Sequence, residues 1–407
     1  MSKVVDYFLK YVAFDTQSAE DAGTVPSTEK QFALAKLLSE QLKNIGVKDV
    51  SMSEHGYVYG TIPANGDYNC QTVGFLAHMD TSPDCPDENV RPQLVKHYDG
   101  KDIILNKALG VKMTTKMFPF LKNYVGQDLI TTDGTTLLGA DDKAGIAEIM
   151  TMAEALIKEN IPHGPISIAF TPDEEVGGGT DHFNVEKFAA QFAYTLDGDT
   201  EGEIQYENFN ACKADFEITG FAVHPGSSKD TMINACLVAA EINNMLPGLE
   251  IPRETEDYEG FYHLTGMSGD VAQAKLHYIV RDHDKNLFEA RKETLRHIEK
   301  NLNEKWGEGT VKLMITDQYQ NMAEIIAGCM HLIENAKKAC ENAGVAPLVL
   351  PIRGGTDGCQ LSFMGLPCPN LGTGGHAFHG PYEHITAEGM DKAVDIAVEL
   401  VKLYAEM

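Results

Sequence analysis

Three short apolar runs, residues 73–77, 166–170 and 192–196, each end abruptly in acid or histidine. The first leads into His78-Met79-Asp80, the second into Thr171-Pro172-Asp173-Glu174-Glu175, the third into Asp197-Gly198-Asp199. A run that is apolar at every position suits a strand of a parallel sheet covered on both faces. In open α/β sheets ligands bind at the carboxyl ends of such strands. The two-residue period of a strand also points His78 and Asp80 the same way. Taken alone, His-x-Asp fits a solvated loop pair or a helix cap as well as a ligand pair, and three acids in a row fit a solvated turn. Three such endings in one chain point to one shared site.

Two further segments bring the same residue types. Asp141 and Asp142 stand at a strand-to-helix junction, because helical spacing begins at Ala144 and continues through Ala147, Met150 and Ala153. Helix capping accounts for one acid there and less well for two. Near the end, glycine-rich loops at 353–358 and 372–380 carry Arg353 and His379, with His376 and His384 close by. Histidine nitrogen and carboxylate oxygen together suit a hard or borderline divalent cation, zinc included. Two ions about 3.5 to 4 Å apart need a shared carboxylate. Asp141 suits the shared position, with His78 and Asp197 on one ion and Glu175 and His379 on the other. Asp80 and Glu174 remain for orienting ligands and moving protons.

A chain of 407 residues exceeds the size at which one core usually keeps growing. Residues 211–324 change texture, with two helical patterns among alternating strands, and predict a compact β-α-β-β-α-β domain. It is inserted into a larger α/β domain made of 1–210 and 325–407, a mixed sheet with helices on both faces. The larger domain also carries an amphipathic helix over 1–14, a weakly periodic excursion at 84–129 with short strands such as 103–105, and an Asp-Gly hairpin signal at 131–136. His376 and His384 are expected behind the ligands or at the surface. Asp199 adds a second carboxylate to the ending of the third run.

Asp and Glu number 60 against 33 Lys and Arg, a net charge of −27 that disfavours nucleic acid and anionic membranes as partners. No uninterrupted run of eighteen apolar residues predicts a membrane span. Eight scattered cysteines without a Cys-x-x-Cys pair read as reduced thiols. A cytoplasmic location follows as the expectation.

The ordered series His-Met-Asp at 78–80, Gly-Ala-Asp-Asp-Lys-Ala-Gly at 139–145, Thr-Pro-Asp-Glu-Glu-Val-Gly at 171–177, Asp-Gly-Asp at 197–199, His-Pro-Gly at 224–226, Arg-Gly-Gly-Thr-Asp-Gly at 353–358 and the histidine at 379 resembles the M20 metallopeptidases, over essentially the whole chain. The resemblance implies an aminopeptidase that releases the N-terminal residue of tripeptides with two zinc ions per subunit. It implies that His78, Asp141, Glu175, Asp197 and His379 ligate zinc, that Asp80 orients His78, and that Glu174 is the general base. It further implies a cis Asp141–Asp142 peptide, a homodimer, an inserted domain serving as lid and dimerisation element, and a His224 that reaches the site of the partner subunit. Arg353, and more weakly Arg281, are the expected substrate contacts. Dipeptidases, carboxypeptidases and N-acyl amino acid deacylases of the same family share the site and are the rival enzymes. A peptide-binding protein without catalysis is the rival of another class.

Overall fold

The computed structural model describes residues 2–406. The chain forms two compact units. One runs through Tyr206 and takes in Glu324–Leu350 and the chain from Thr356 onward; the other comprises Glu207–Ala323 and Pro351–Gly355. Residues 351–355 thus cluster with the smaller unit, although they fall inside the stretch 325–407 assigned from sequence to the larger domain. Met1 and Met407, the outer bounds of that domain, lie outside the described residues.

The larger unit is built on an eight-stranded mixed sheet. Its centre is formed by Ile166–Thr171, Val73–His78 and Phe192–Gly198, which are adjacent and parallel. These are the three acid-ended runs. His78 lies level with Thr171, so the endings gather at one edge of the sheet. All six residues of Val73–His78 are buried, as a central strand covered on both faces requires. The helix Ala140–Lys158 packs across Val73–His78 and Phe192–Gly198, and Lys3–Tyr11 and Ala387–Ala405 pack on that helix. Alternation turns Leu76 to the other face, where it joins a core with Tyr57, Tyr59, Ala169, Phe188 and Leu361.

The excursion at 84–129 is more structured than its weak periodicity predicts. Gln93–Val95 and Leu129–Thr131 join His384–Thr386 and Gly375–His376 in a four-stranded sheet. A small core of Tyr98, Ile103, Leu105, Met113, Leu121 and Tyr124 sits beneath. The hairpin expected at 131–136 does not form. Leu129–Thr131 pairs instead with the distant Gln93–Val95 and His384–Thr386, and Asp133-Gly134 makes a local turn in which the Thr132 hydroxyl accepts the Gly134 N–H at 2.6 Å. Long-range pairing outweighs a local turn signal here. No helix among the described residues is long and apolar enough to cross a membrane.

The smaller unit is an antiparallel sheet in the order Phe261–Gly269, Gln273–Asp282, Asn210–Thr219, Val311–Tyr319. The helices Ala235–Met245 and Lys285–Trp306 cover its apolar face over a core that includes Phe216, Ile242, Leu276 and Leu295. The element order is β-α-β-β-α-β. Its edge strand Phe261–Gly269 is the element that periodicity misses, because it carries three polar or exposed positions and two glycines beyond Leu264.

One close approach ties fold to site. At Gly145, early in the helix Ala140–Lys158, an added Cβ would lie 2.0 Å from the backbone oxygen of Leu196, the residue before Asp197. Only hydrogen fits there. Alanine ordinarily favours a helix interior over glycine by roughly 0.5 to 1 kcal/mol, yet the clash involves backbone that cannot turn aside. Gly145→Ala should therefore destabilise the fold by about 1 to 3 kcal/mol, read as a lower denaturant midpoint with an unchanged slope.

Candidate functional site

The strand Val73–His78 delivers His78 with its ring 2 % exposed. Its Nδ1–H donates to the backbone oxygen of Asp80 at 3.0 Å, and the Asp80 carboxylate stands 3.4 Å away. That bond fixes the tautomer. Nε2 is left facing Asp141 Oδ1 at 2.8 Å and Asp197 Oδ1 at 3.3 Å. On the other side, His379 Nε2 lies 2.9 Å from Glu175 Oε2 and 3.3 Å from Asp141 Oδ2. Asp141 therefore presents one carboxylate oxygen to each imidazole.

Among the described residues, two overlapping groups have donor atoms mutually within 4.8 Å, His78 with Asp141 and Asp197, and Asp141 with Glu175 and His379. The donor set of histidine nitrogen and carboxylate oxygen fits zinc and similar divalent cations. A second observation agrees: Glu175 Oε1 is buried and has no hydrogen-bond partner, a condition that is costly unless something positive faces it. Electrostatics point the same way. Burial opposes the charge on His379, but its hydrogen bonds to Asp141 and Glu175 push it up to about 11. Burial also works to raise Asp141, yet the hydrogen bonds to His379 and His78 hold it well below the usual carboxylate range. Burial raises Glu175, and the Asp141 charge adds to it. The imidazolium protons thus balance crowded carboxylates, a task that a divalent cation performs with the same groups deprotonated.

The acidic turn resolves into three different fates. Asp173 has a left-handed backbone, φ 57°. Its carboxylate turns away from the cluster to accept the Ser27 N–H at 2.6 Å, the Ser27 hydroxyl at 2.5 Å and the Gln31 amide at 2.7 Å. Glu175 enters the second donor group. Glu174 lines a recess with His78, Thr171, Asp197 and Asp357, where burial and then the Asp197 charge raise its pKa well above the ordinary glutamate value. The Asp80 carboxylate accepts the N–H groups of Glu174 and Glu175 at 3.0 and 3.2 Å. Asp80 thus anchors the turn that carries both glutamates as well as lying beside His78.

The Asp141–Asp142 peptide is cis, and both residues have non-helical backbone angles ahead of the regular helix. Asp142 belongs to neither donor group: its carboxylate accepts the backbone N–H of His78 at 3.1 Å and of Gly145 at 3.2 Å. Neither donor group takes in Asp199, which is exposed at the strand end. His376 and His384 are not at the surface, as one option had it. Both are buried, His376 bonded to the Tyr124 hydroxyl and His384 stacked 5.7 Å from Phe120, so aromatic packing claims them.

Three residues of the smaller unit were expected at the substrate. His224 is exposed, and its Nδ1 accepts the Gly226 N–H at 3.1 Å, which leaves the ring proton on Nε2 in the neutral form. Arg353 donates to the backbone oxygens of Asp257 and Glu259 at 2.7 and 3.0 Å and to the Thr255 hydroxyl at 3.0 Å. Its guanidinium lies over Phe209 and Phe261. Arg281 is buried, donates to the Cys212 and Val280 oxygens, and lies over Tyr319. Both arginines are thus heavily engaged inside their own unit.

Sequence reasoning passed over Asp357 and Glu383. Asp357 accepts the Thr171 hydroxyl at 2.7 Å and sits inside the Arg-Gly-Gly-Thr-Asp-Gly run at 353–358, so the sequence carries its signal. Glu383 accepts backbone N–H groups at the Asp141 turn, and a lone acid four residues past a histidine carries no distinguishing pattern.

The profile of Peptidase family M20/M25/M40 matches residues 133–403. A protein of Clostridium novyi named Peptidase T is 54 % identical over 407 residues, covering 100 % of both chains. The crystal structure of aminopeptidase PepT from Bacillus cereus superposes with a TM-score of 0.78 at 25 % identity, covering 99 % of this chain and 98 % of that one. A tripeptidase from Staphylococcus aureus shares the fold, with a TM-score of 0.78 at 21 % identity over 100 % of this chain and 98 % of its own. On the profile match and the full-length identity, this chain belongs to peptidase family M20/M25/M40.

Proposed function

We propose that this chain is a metal-dependent aminopeptidase that removes the N-terminal residue from tripeptides, acting in the cytoplasm as a homodimer with two zinc ions per subunit. The observation that carries the reading is the Asp141 carboxylate, one oxygen toward His78 and the other toward His379, as a carboxylate shared by two cations requires. The names of its relatives, an aminopeptidase and a tripeptidase, support the substrate class.

In this reading His78 and Asp197 would hold one ion and Glu175 and His379 the other, with Asp141 common to the two groups. Bound there, the ions supply Lewis acidity toward the peptide carbonyl and lower the pKa of water. Glu174 is the general base: its carboxylate takes a proton from the attacking water and later delivers it to the departing amine nitrogen. Asp80 keeps Glu174 in place through the backbone N–H it accepts. His224, with a proton on Nε2, is suited to donate to the oxyanion that forms on the peptide carbonyl, reaching the site of a second copy. The smaller unit is then both lid and dimerisation element, and Arg281 and Arg353 are its candidates for contact with the peptide.

Kinetics of two variants, chelation, a comparison of substrates and sedimentation test this. Glu174→Gln should lower kcat by about 10² to 10⁴-fold while metal content stays at the wild-type level; equal turnover by the two proteins would remove Glu174 from the role of base. Chelation should abolish hydrolysis of unblocked tripeptides, and zinc, cobalt or manganese should restore it. Faster cleavage of dipeptides, N-blocked tripeptides or N-acetyl amino acids would move the assignment to a dipeptidase, carboxypeptidase or deacylase of the family. His224→Ala should cost roughly 10² to 10³ in kcat, the usual loss for an oxyanion donor, and sedimentation should give twice the chain mass. A monomer with unimpaired His224→Ala turnover would overturn both expectations.

A further inference from the structure

We propose that Glu383 is a positioning residue of the metal centre, locking the turn that carries Asp141 to the loop that carries His379. The inference rests on the reading of Asp141 as a shared metal ligand. Glu383 is 1 % exposed and lies between His379 and the strand His384–Thr386. Its Oε2 accepts the N–H of Leu138 at 2.6 Å and of Gly139 at 2.9 Å, and its Oε1 accepts the N–H of Asp141 itself at 3.1 Å. The partners are 242 to 245 residues apart in the chain.

Simple helix capping does not describe this arrangement. Leu138 and Gly139 precede the helix, Gly139 has φ 82°, and Asp141 has φ −84° and ψ 103°, outside the helical region. The three donors belong to an irregular turn with no ladder of its own, and a buried carboxylate satisfies them with charge-assisted bonds. Two other segments that carry donors have a comparable acid: Asp142 accepts the His78 N–H, and Asp80 accepts those of Glu174 and Glu175. Glu383 does this for Asp141, and its place in the chain makes the same side chain a tether for the His379 loop.

A carboxylate is required because every partner is a donor. Glutamine offers one acceptor oxygen, and its NH₂ group would face an N–H. Aspartate keeps the charge and shortens the reach by one methylene.

The test uses full-length wild type, Glu383→Gln and Glu383→Asp, metal-depleted, with folding checked by circular dichroism and thermal midpoint. Zn²⁺ alone is titrated against a chromophoric chelator, and tripeptide kinetics are measured with zinc restored. Glu383→Gln is expected to bind zinc about 10 to 100-fold more weakly and to lose kcat with little change in KM, with Glu383→Asp between it and wild type. Folded Glu383→Gln with wild-type zinc affinity and kcat would overturn the proposal. So would failure of both variants to fold, which would give the residue a role in folding alone. Wild type that takes up no zinc would instead overturn the reading of Asp141.

Discussion

Carboxylates brought together at the ends of neighbouring strands repel one another, and an apolar sheet beneath them offers no relief. The larger unit meets this constraint by giving its acids two kinds of partner. Asp80, Asp142, Asp173 and Glu383 spend their oxygens on backbone N–H groups or neutral side chains. Asp141, Glu175 and Asp197 face imidazole nitrogen instead. The first set supplies neutralising dipoles and fixed positions. The second leaves lone pairs directed at common points, which is what a cation needs and what a packed interior otherwise avoids. Sorting the acids by partner separates frame from ligand more clearly than burial does, since both sets are largely shielded from water.

Much of this was legible in the chain because the central strands are buried on both faces. Their composition leaves no charged position until the carboxyl end, so His78, Glu174, Glu175 and Asp197 stand out against largely apolar runs, and Asp141 stands out as half of an acid pair where one would serve. What could not be read has a physical reason in each case. The edge strand Phe261–Gly269 buries little beyond its first residues, so its pattern is weak. The Asp133-Gly134 turn has hairpin chemistry, but the strand before it is paired by segments far away in sequence. Glu383 acts on backbone, and backbone partners leave no trace in residue identity.

The smaller unit shows the same limit from another side. An arginine beside a glycine-rich loop reads as a ligand for carboxylate, and the fork of Arg353 has that capacity. In the folded unit the fork is occupied by carbonyl oxygens of residues 255–259 and by two aromatic faces. Donor capacity is a property of the residue, whereas availability depends on which loop closes over it. His224 differs because its turn uses only Nδ1.

The tether between Glu383 and the Asp141 turn also bears on how the molecule comes into being. Loops of more than two hundred residues cost only slightly more entropy to close than loops half as long, so the separation is no thermodynamic burden. It does set an order of events. During synthesis the amino-terminal strands and the helix after Asp142 leave the ribosome long before His379 and Glu383, and residues 207–323 can form their own core in the interval. The donor constellation is complete only when nearly the whole chain has been made. A chain lacking its last thirty or so residues would lose His379 and Glu383 together with the helix Ala387–Ala405 that packs on Ala140–Lys158, so neither the donor set nor the core behind it would be complete.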